Sequence, residues 1–421
     1  MGALELINSP KKVFNLLSHP SEIAAIFKLR AYAKKIEQDR DRINRGDENV
    51  KYAYDVLTRT SRSFASVILQ LGDDLRDSVC IFYLVLRGLD TIEDDMSIPL
   101  QEKLEMLYKF PIYLETPGWN TTHGEDAYKD LMKNFDKIID VYSKLPKPHR
   151  EVISDITKRM GEGMAHFATR EVVTKADWDQ YCYYVAGLVG IGLSRLFYVS
   201  GLESEKYNQM DSTASLANSM GLFLQKTNIT RDYLEDIIEG RIFWPKEVWS
   251  KYAEKLEDFR APANKDKALA CLNELITDAL GHGLDCVDYM VTLQDKNNFM
   301  FCAVPQVMAI ATLAECYNNY GVFTGVVKIR KGLAAKLITD CTNMERLYGH
   351  YVTFSKIILS KINPADPNAR LTKSICEDMI KKCEPHASYA PSFMVNKVLI
   401  PAMAVGTIAF AIAPSSFFSS N

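Results

Sequence analysis

Apolar residues recur at three- and four-residue steps along most of the chain, which is the spacing of one face of an α-helix. The clearest case is the segment 151–170, which places five apolar side chains on one face: Val152, Ile156, Met160, Met164 and Phe167. Residues 268–293 and 303–318 follow the same pattern. Residues 115–126 and 260–267 contain Gly or Pro among polar residues and are typical of loops. The pattern predicts an all-α fold built as a single domain.

The mostly apolar stretch 77–89, which is predicted to be a buried helix, is followed by a concentration of negative charge. Four acids occupy the six positions 90–95, namely Asp90, Glu93, Asp94 and Asp95. At about 100° per residue, Asp90 and Asp94 share a face with Tyr83 and Arg87. Asp95 falls outside that face and is expected to be exposed. Because an unpaired buried carboxylate is costly, cations are expected next to this cluster.

The same D-x-x-E-D spacing returns at Asp232, Glu235 and Asp236. The predicted helix that carries them has a narrow polar stripe on an otherwise apolar surface, formed by Asn218, Gln225, Asn228, Asp232 and Asp236. Such a helix is expected to be buried, with its stripe facing a polar cavity. A third acidic run, Glu254–Asp258, lies among lysines and is expected to be a solvated helix face.

Two carboxylate clusters on buried helices suit a hard cation. Mg²⁺ prefers oxygen ligands and is usually held by one or two carboxylates together with substrate phosphates. Arg87, Arg231 and Arg241 lie beside the clusters, and a guanidinium group binds phosphate oxygens in bidentate fashion. The residues alone therefore predict binding of a diphosphate with Mg²⁺. The alternative is a pair of buried acid–arginine networks that hold no ligand.

Composition excludes several other classes. The 421 residues carry a net charge of −3, which gives no overall attraction to nucleic acid. The nine cysteines form no CxxC pair, which argues against a cysteine zinc site and fits a reducing compartment. The glycine-rich stretch 187–195 lacks the third glycine of a dinucleotide-binding fingerprint. Its glycines are expected to let another backbone or a ligand approach closely.

The C-terminal stretch differs in character from the rest of the chain. Residues 398–413 are sixteen positions without a charge, and with their neighbours they approach the thickness of a bilayer core. Lysines precede this stretch and no charge follows it, which places the body of the protein in the cytosol. A buried core helix containing Pro401 is the alternative. The predicted division is an N-terminal extension (1–49), a catalytic domain (50–370), a linker (371–391) and a membrane anchor (392–414).

Seven stretches, taken in order over about residues 50–335, strongly resemble the squalene synthases. They are SRSF (61–64), YLVLRGLDTIEDD (83–95), YCYYVAGLVGIGLSRLF (181–197), NSMGLFLQKTNITRDYLED (218–236), GRIFWPKEVW (240–249), FCAVPQVMAIATL (301–313) and VKIRKG (327–332). The resemblance implies an isoprenoid-synthase helical fold around a central cavity. It also implies head-to-head condensation of two farnesyl diphosphates to presqualene diphosphate, followed by NADPH-dependent reduction to squalene.

The resemblance implies roles for individual residues. The Mg²⁺ ligands would be Asp90, Glu93, Asp94, Asp232, Glu235 and Asp236. The residues around the diphosphates would be Ser61, Arg62, Ser63, Arg87, Arg231 and Arg241. Tyr181 would take part in proton removal during cyclopropane formation, and Phe64 and Phe301 would shield the cations. Lys328 and Arg330 would bind NADPH. The polar faces described above add Tyr83, Gln225 and Asn228 as substrate contacts, and Arg87 is counted among the catalytic residues.

One position departs from the resemblance. The squalene synthases usually have His where this chain has Tyr183, which brings the hydrogen bonding near Tyr181 into question. Three alternatives remain: a related enzyme that stops at presqualene diphosphate, a phytoene synthase that couples C20 substrates without NADPH, and an inactive membrane-tethered binding protein. The VKIRKG stretch and the apolar C-terminal stretch favour squalene synthase, and the intact acids argue against inactivity. The expected enzyme is a monomer in the endoplasmic reticulum membrane, with its catalytic domain facing the cytosol.

Overall fold

The computed structural model describes residues 19–38, 46–209, 211–212 and 215–389. All regular elements within these ranges are helical, which confirms the predicted all-α class. The first ten α-helices are α1 (Pro20–Gln38), α2 (Glu48–Thr60), α3 (Arg62–Ile68), α4 (Asp73–Asp94), α5 (Leu100–Leu114), α6 (Asp126–Lys133), α7 (Phe135–Lys144), α8 (Lys147–Phe167), α9 (Lys175–Cys182) and α10 (Leu188–Val199). A π-helical turn, Tyr183–Gly187, joins α9 to α10.

The second half of the described chain continues in the same way. Its α-helices are α11 (Leu216–Arg231), α12 (Tyr233–Ile238), α13 (Lys246–Trp249), α14 (Lys265–Leu280), α15 (Gly283–Val291), α16 (Lys296–Cys316), α17 (Lys331–Asp340), α18 (Met344–Lys361) and α19 (Ala369–Cys383). The predicted helices at 151–170 and 303–318 correspond to α8 and α16, and the segment 268–293 is divided between α14 and α15.

Two helices at the centre of the packing carry the acidic motifs. Helix α4 packs against α2, α5, α7, α8 and α10, and most of its side chains are buried. Helix α11 packs against α9, the π-helical turn, α10, α14, α15 and α16. Burial of the apolar side chains of both helices stabilises the core by about 25 cal/mol per Å² of apolar area. Each helix ends close to its acidic residues.

The structure differs from the predicted division at both ends of the catalytic domain. Helix α19 lies inside the predicted linker and packs on α18, with Cys376 and Met379 fully buried. The loop-like residues on either side of α19 led to the prediction of a linker. The helix nevertheless has a regular buried face, formed by Thr372, Cys376, Met379 and Cys383. Helix α1 lies inside the predicted N-terminal extension and packs on α17. Both segments therefore belong to the folded body.

Within the described residues, two helical stretches are long and apolar enough to cross a membrane, but each packs against other helices of the body. They are Lys175–Val199, which runs from α9 through α10, and Lys296–Cys316, which is α16. Most of the apolar window of α16 is buried against other helices. The predicted anchor, residues 392–414, lies outside the described residues. The third acidic run is solvated as expected at Glu254 and Glu257, although it forms a 3-10 turn rather than an α-helix.

Candidate active site

The first acidic cluster lies at the C-terminal end of helix α4. Asp90, Glu93 and Asp94 occupy its last turns, where the free backbone carbonyls add further negative potential. Burial raises the pKa of Asp90 to about 6, although Arg87 opposes this shift. Burial together with the neighbouring carboxylates of Asp94 and Asp90 raises the pKa of Glu93 well above its usual range. The cations near this cluster therefore do not fully offset the effect of burial and of the neighbouring acids.

Three cations face this cluster, as we expected from the concentration of acids in the sequence. The Arg87 guanidinium lies 3.4 Å from Asp90 Oδ2, and Arg241 Nη1 donates to Asp94 Oδ1 at 3.1 Å. Lys103 Nζ donates to the carbonyl oxygen of Glu93 at 2.6 Å. Lys103 was missed in the sequence, although it shares the buried face of α5 with Met106, Leu107 and Phe110. A lysine at a core position of an amphipathic helix was the available signal.

The expectation that Asp95 is exposed is wrong. Its side chain is 15% exposed, and its carboxylate accepts hydrogen bonds from the backbone N–H groups of Ser97 and Gly124, each at 2.9 Å. The expectation assumed that the helix continues through this position. Because α4 ends at Asp94, Asp95 has an extended backbone and turns away from the helical face used in the prediction.

The second acidic cluster lies at a break between two helices, so the single helix predicted for it is wrong. Helix α11 ends at Arg231 and α12 begins at Tyr233, with Asp232 between them. The Arg231 guanidinium binds the Asp232 carboxylate through two hydrogen bonds, of 2.6 Å and 2.5 Å. Burial raises the pKa of Asp236 to about 6, against the opposing effect of Arg241.

Arg241 joins the two clusters. Its Nη1 donates to Asp94 Oδ1 at 3.1 Å, and its Nη2 donates to Asp236 Oδ1 at 2.9 Å. Because one guanidinium contacts a carboxylate from each motif, the motifs face each other across a single site. The buried Nε groups of Arg87 and Arg241 have no hydrogen-bond acceptor within the described residues. Such unpaired donors fit a ligand that carries acceptor oxygens.

Tyr181 lies in the last turn of α9, between aromatic side chains. Its ring stacks on Phe243 with centroids 5.2 Å apart and meets Phe167 edge-on at 5.4 Å. Burial, followed by the negative charges of Glu93 and Asp94, raises the pKa of Tyr181 well above its usual range. The hydroxyl is therefore protonated at neutral pH, and the electrostatic influence of the first cluster reaches it.

Glycines bring two helix backbones into direct contact beside Tyr181. A Cβ atom at Gly190 would lie 2.3 Å from the carbonyl oxygen of Ala217, and one at Gly221 would lie 2.3 Å from that of Ala186. Only glycine permits such an approach. The prediction that the glycines of 187–195 admit another backbone is confirmed at Gly190, whereas Gly187 and Gly192 admit side chains. This contact fixes the π-helical turn after Tyr181 against helix α11.

Tyr183, which stands where His is usual, has a defined partner. Its hydroxyl accepts a hydrogen bond from Arg159 Nη2 at 2.6 Å. Arg159 also donates to Asp211 at 2.8 Å. The hydrogen bonding beside Tyr181 is thus made by a tyrosine–arginine pair that reaches from α8 to the segment after α10.

The N-terminal end of α3 faces the first cluster through aromatic rings. Ser61 is the N-cap of α3, and its Oγ accepts from the Phe64 backbone N–H at 3.3 Å. The ring of Phe64, which is 38% exposed, lies 5.9 Å from that of Tyr83. The guanidinium carbon of Arg87 lies 5.5 Å from the centre of the Tyr83 ring. The structure therefore brings these four predicted residues together.

The remaining predicted site residues lie on helices α11, α16 and α3. Gln225 and Asn228 lie in the last two turns of α11, before Asp232, and Asn228 is exposed. Phe301 is buried in α16 and meets Phe197 edge-on at 6.3 Å. The backbones of two others belong to α3, but their side chains lie outside the described part of the structure: Arg62 and Ser63.

The predicted NADPH residues lie just before helix α17. Lys328 and Arg330 are both exposed. Arg330 Nη2 donates to Glu22 Oε1 at 2.7 Å, and Glu22 on α1 is only 4% exposed. Arg330 is therefore already paired within the chain. Its partner was missed because helix α1 was assigned to an extension outside the catalytic domain.

A separate cluster of charged groups, the Lys226 cluster, lies between α9, α11 and α14. The ligand-type atoms of Asp179, Asp278 and His282 all lie within 4.8 Å of one another, which is close enough to hold a metal ion. However, Lys226 Nζ lies 2.5 Å from both Asp179 Oδ1 and Asp278 Oδ1, and 3.1 Å from His282 Nε2. The ammonium group occupies this position. The cluster contains none of the predicted Mg²⁺ ligands.

Comparison with known proteins identifies the family. A family model described as squalene/phytoene synthase matches residues 57–332. The chain belongs to the squalene/phytoene synthase family. The range matched by the family model contains both acidic clusters, Tyr181 and Arg330. The resemblance read from the sequence motifs is thus confirmed.

Curated members of the family are similar over most of their length. Squalene synthase 8 of Panax ginseng is 46% identical over 90% of this chain and 95% of its own. Squalene synthase 1 of the same species is 48% identical over 88% of this chain and 87% of its own. Squalene synthase 1 of Arabidopsis thaliana is 46% identical over 87% of this chain and 88% of its own.

The fold is also shared with solved structures. The complex of TcSQS with the ligand E5700 is 43% identical and has a TM-score of 0.79, covering 81% of this chain and all of the other. The complex of TcSQS with the ligand BPH1237 has a TM-score of 0.78 at the same identity and coverage. The isoprenoid-synthase helical fold implied by the motifs is confirmed.

The acidic residues fit a magnesium ion by the chemistry of their donors. All six are carboxylates, which are the hard oxygen ligands that Mg²⁺ prefers. Asp90 and Asp236 have pKa values raised to about 6 by burial, so a bound cation would favour their ionised forms. The unpaired Nε groups of Arg87 and Arg241 supply donors for phosphate oxygens.

Proposed function

We propose that this protein condenses two farnesyl diphosphates head to head to presqualene diphosphate and then reduces this product to squalene. The observation that supports it most directly is Arg241, whose guanidinium contacts both acidic motifs and so defines one site for anionic substrate. The curated relatives named squalene synthases, 46–48% identical over most of the chain, favour this reaction over that of a phytoene synthase.

The two acidic clusters would hold Mg²⁺ through Asp90, Glu93, Asp94, Asp232, Glu235 and Asp236. When bound, Mg²⁺ would neutralise the charge that develops on a departing diphosphate. Arg87, Arg231 and Arg241 would bind the diphosphate oxygens. Ser61, Arg62 and Ser63 would bind them from the start of α3, and Tyr83, Gln225 and Asn228 would contact the substrate from α4 and α11. The ion pairs of these arginines with Asp90, Asp232, Asp94 and Asp236 support this assignment, because they place the guanidinium groups beside the proposed Mg²⁺ ligands.

Tyr181 would handle the proton lost in cyclopropane formation. Its pKa is raised by burial and by the first cluster, so it enters the reaction as a neutral hydroxyl. The oxygen would accept the proton from the substrate carbon while its own proton passes to an oxygen of the released diphosphate. The rings of Phe167 and Phe243 pack against the buried Tyr181 ring and would help to exclude water that could quench a cation. Phe64 and Phe301 would shield the cation with their ring faces.

Lys328 and Arg330 would bind the phosphates of NADPH, which supplies the reducing equivalent for the second half-reaction. Both side chains are exposed, and Glu22 pairs with only one of the guanidinium nitrogens of Arg330. Residues 392–414 would anchor the enzyme in the endoplasmic reticulum membrane, with the catalytic domain in the cytosol. We propose that it works as a monomer.

The proposal is tested with the full chain in detergent. Farnesyl diphosphate and Mg²⁺ should give presqualene diphosphate without NADPH and squalene with it, whereas a C20 diphosphate should give little coupled product. Asp90→Asn and Asp94→Asn should each abolish the first half-reaction, because each removes one ligand charge while keeping the shape of the side chain. Glu254→Gln, in the solvated third acidic run, is the matched control and should be fully active. Near wild-type turnover by Asp94→Asn in limiting Mg²⁺ would contradict the proposal.

A further inference from the structure

The Lys226 cluster connects the helix of Tyr181 to the helix of the second acidic motif. Lys226 lies on α11 and is 1% exposed, which makes it one of the largest fully buried side chains. Its ammonium pairs with Asp179 and Asp278 and lies 4.9 Å from the centre of the Trp178 ring. A buried lysine is costly unless it is paired and hydrogen-bonded. The ion pairs therefore fix its position.

Asp179 and Trp178 lie on α9, immediately before Tyr181. The ion pair between Asp179 and Lys226 is thus a direct link between the helix that carries Tyr181 and the helix that leads to Asp232. The backbone contact at Gly221 holds the other side of Tyr181, at the π-helical turn. Tyr181 is thus held from both directions along the chain, by backbone packing on its C-terminal side and by the charged link through Asp179 on its N-terminal side.

We propose that Lys226 and Asp179 are positioning residues that set the place of the Tyr181 hydroxyl relative to the diphosphate site. This inference rests on the proposed function, because it assigns to Tyr181 the proton transfer described above. Neither residue touches substrate; both act through Tyr181. Displacement of a reacting group by about 1 Å can lower a rate by as much as 100-fold, so a loosened α9 would be visible in kcat.

The effect of Asp179 on the position of Tyr181 can be separated from its effect on the stability of the protein. Helix α9 has further anchors: a capping box between Thr174 and Asp177, and Lys175 Nζ at 3.4 Å from Glu274 and 3.5 Å from Asp278. The Asp179 side chain is 51% exposed, so its substitution leaves no buried cavity. Asp179→Asn should therefore leave α9 folded while removing the charge that holds its C-terminal end.

The test compares kcat and KM for presqualene diphosphate formation in the full-length protein. Asp179→Asn should lower kcat about tenfold with KM for farnesyl diphosphate and the melting temperature nearly unchanged, and Asp179→Glu should recover part of the rate. Asp288→Asn is the matched control, since Asp288 is 47% exposed and pairs with Lys382 at 2.5 Å on another helix. It should leave kcat unchanged.

A double-variant cycle distinguishes a positioning role from a structural one. If Asp179 acts through Tyr181, Asp179→Asn should slow the wild type but have little further effect on the residual single-turnover rate of Tyr181→Phe, measured with enzyme in excess over substrate. Equal losses in both backgrounds, an unchanged kcat, or a fall in kcat that follows a fall in melting temperature would overturn the inference. A Tyr181→Phe variant with normal turnover would instead refute the role proposed for Tyr181 itself, whatever Asp179→Asn does.

Discussion

The backbone contact between α10, the π-helical turn and α11 predicts that Gly221→Ala destabilises the protein. The new Cβ would lie 2.3 Å from Ala186 O, 2.5 Å from Ala186 C and 2.6 Å from Gly187 N, whereas ordinary contacts begin at 3.4 Å. The obstacle is backbone on both sides, so no side chain can rotate to make room. The two segments must separate by about 1 Å, which is the difference between these distances.

The expected loss follows from two opposing effects. Overpacking of a well-packed core costs about 1–3 kcal/mol, and the rigid obstacle places this site at the upper end. Alanine has the better helix propensity, which returns up to about 1 kcal/mol. The net loss in free energy of unfolding should therefore be about 2 kcal/mol. Gly190→Ala meets Ala217 O at the same 2.3 Å and should behave alike.

Urea titration of the variants measures this loss. Gly325→Ala is the control, because its Cβ would meet only Gly321 O, at 3.9 Å; this variant should lie within about 0.5 kcal/mol of the wild type. The double variant of Gly190 and Gly221 should lose less than the sum of the single losses, since either substitution opens the same gap. A Gly221→Ala protein as stable as the Gly325→Ala control would refute the packing argument.

Three further predictions concern single groups. Tyr181→Phe should block presqualene diphosphate formation while farnesyl diphosphate binding, measured by calorimetry, is retained; normal product formation would remove Tyr181 from the mechanism. Lys328→Ala with Arg330→Ala should spare the first half-reaction and weaken NADPH binding by at least about tenfold for each lost contact, as read from the NADPH dependence of squalene output; an unchanged dependence would leave the cofactor site unassigned. Burial and Lys226 lower the pKa of His282 to about 4, so the folded protein binds fewer protons than the unfolded chain. The free energy of unfolding should therefore fall by up to about 3 kcal/mol as the pH falls from 6.5 towards 4. His282→Gln should flatten the acid side of the stability profile, and an unaltered profile would count against this origin.

The helices and the two acidic motifs could be predicted from the sequence, because both depend on residues that are close together along the chain. The face shared by Arg87 and Asp90 on α4 is of this kind, and their ion pair was predictable from spacing. The break at Asp232 was not, since the sequence around it keeps the helical pattern. Asp95 was misplaced for the same reason: its position depends on where the helix stops and on Gly124, which lies on a different segment.

Partners distant in sequence account for most of what was missed. Glu22 and Arg330 are 308 residues apart, and nothing in either neighbourhood indicates the other. Lys103 and Lys226 did leave a local signal, since each lies three or four residues from apolar positions on the buried face of its helix. A charge at such a position requires a partner, but the pattern does not say which acid provides it.

The electrostatics of the site explain why these acids are tolerated at the ends of core helices. If their purpose were stability, apolar residues of similar volume would serve as well or better, because a buried ion pair rarely gains more than it loses by desolvation. The cations present do not fully compensate the acids, since the pKa values of Asp90 and Asp236 stay raised to about 6. Four cations, Lys103, Arg87, Arg231 and Arg241, lie beside the acids and reduce this imbalance. The remaining negative charge is available to a metal ion, and the unpaired guanidinium donors are available to its anionic partner. A site of this kind would be stabilised by a cation and a polyanion that bind together, which is the combination that we propose Mg²⁺ and a diphosphate to supply.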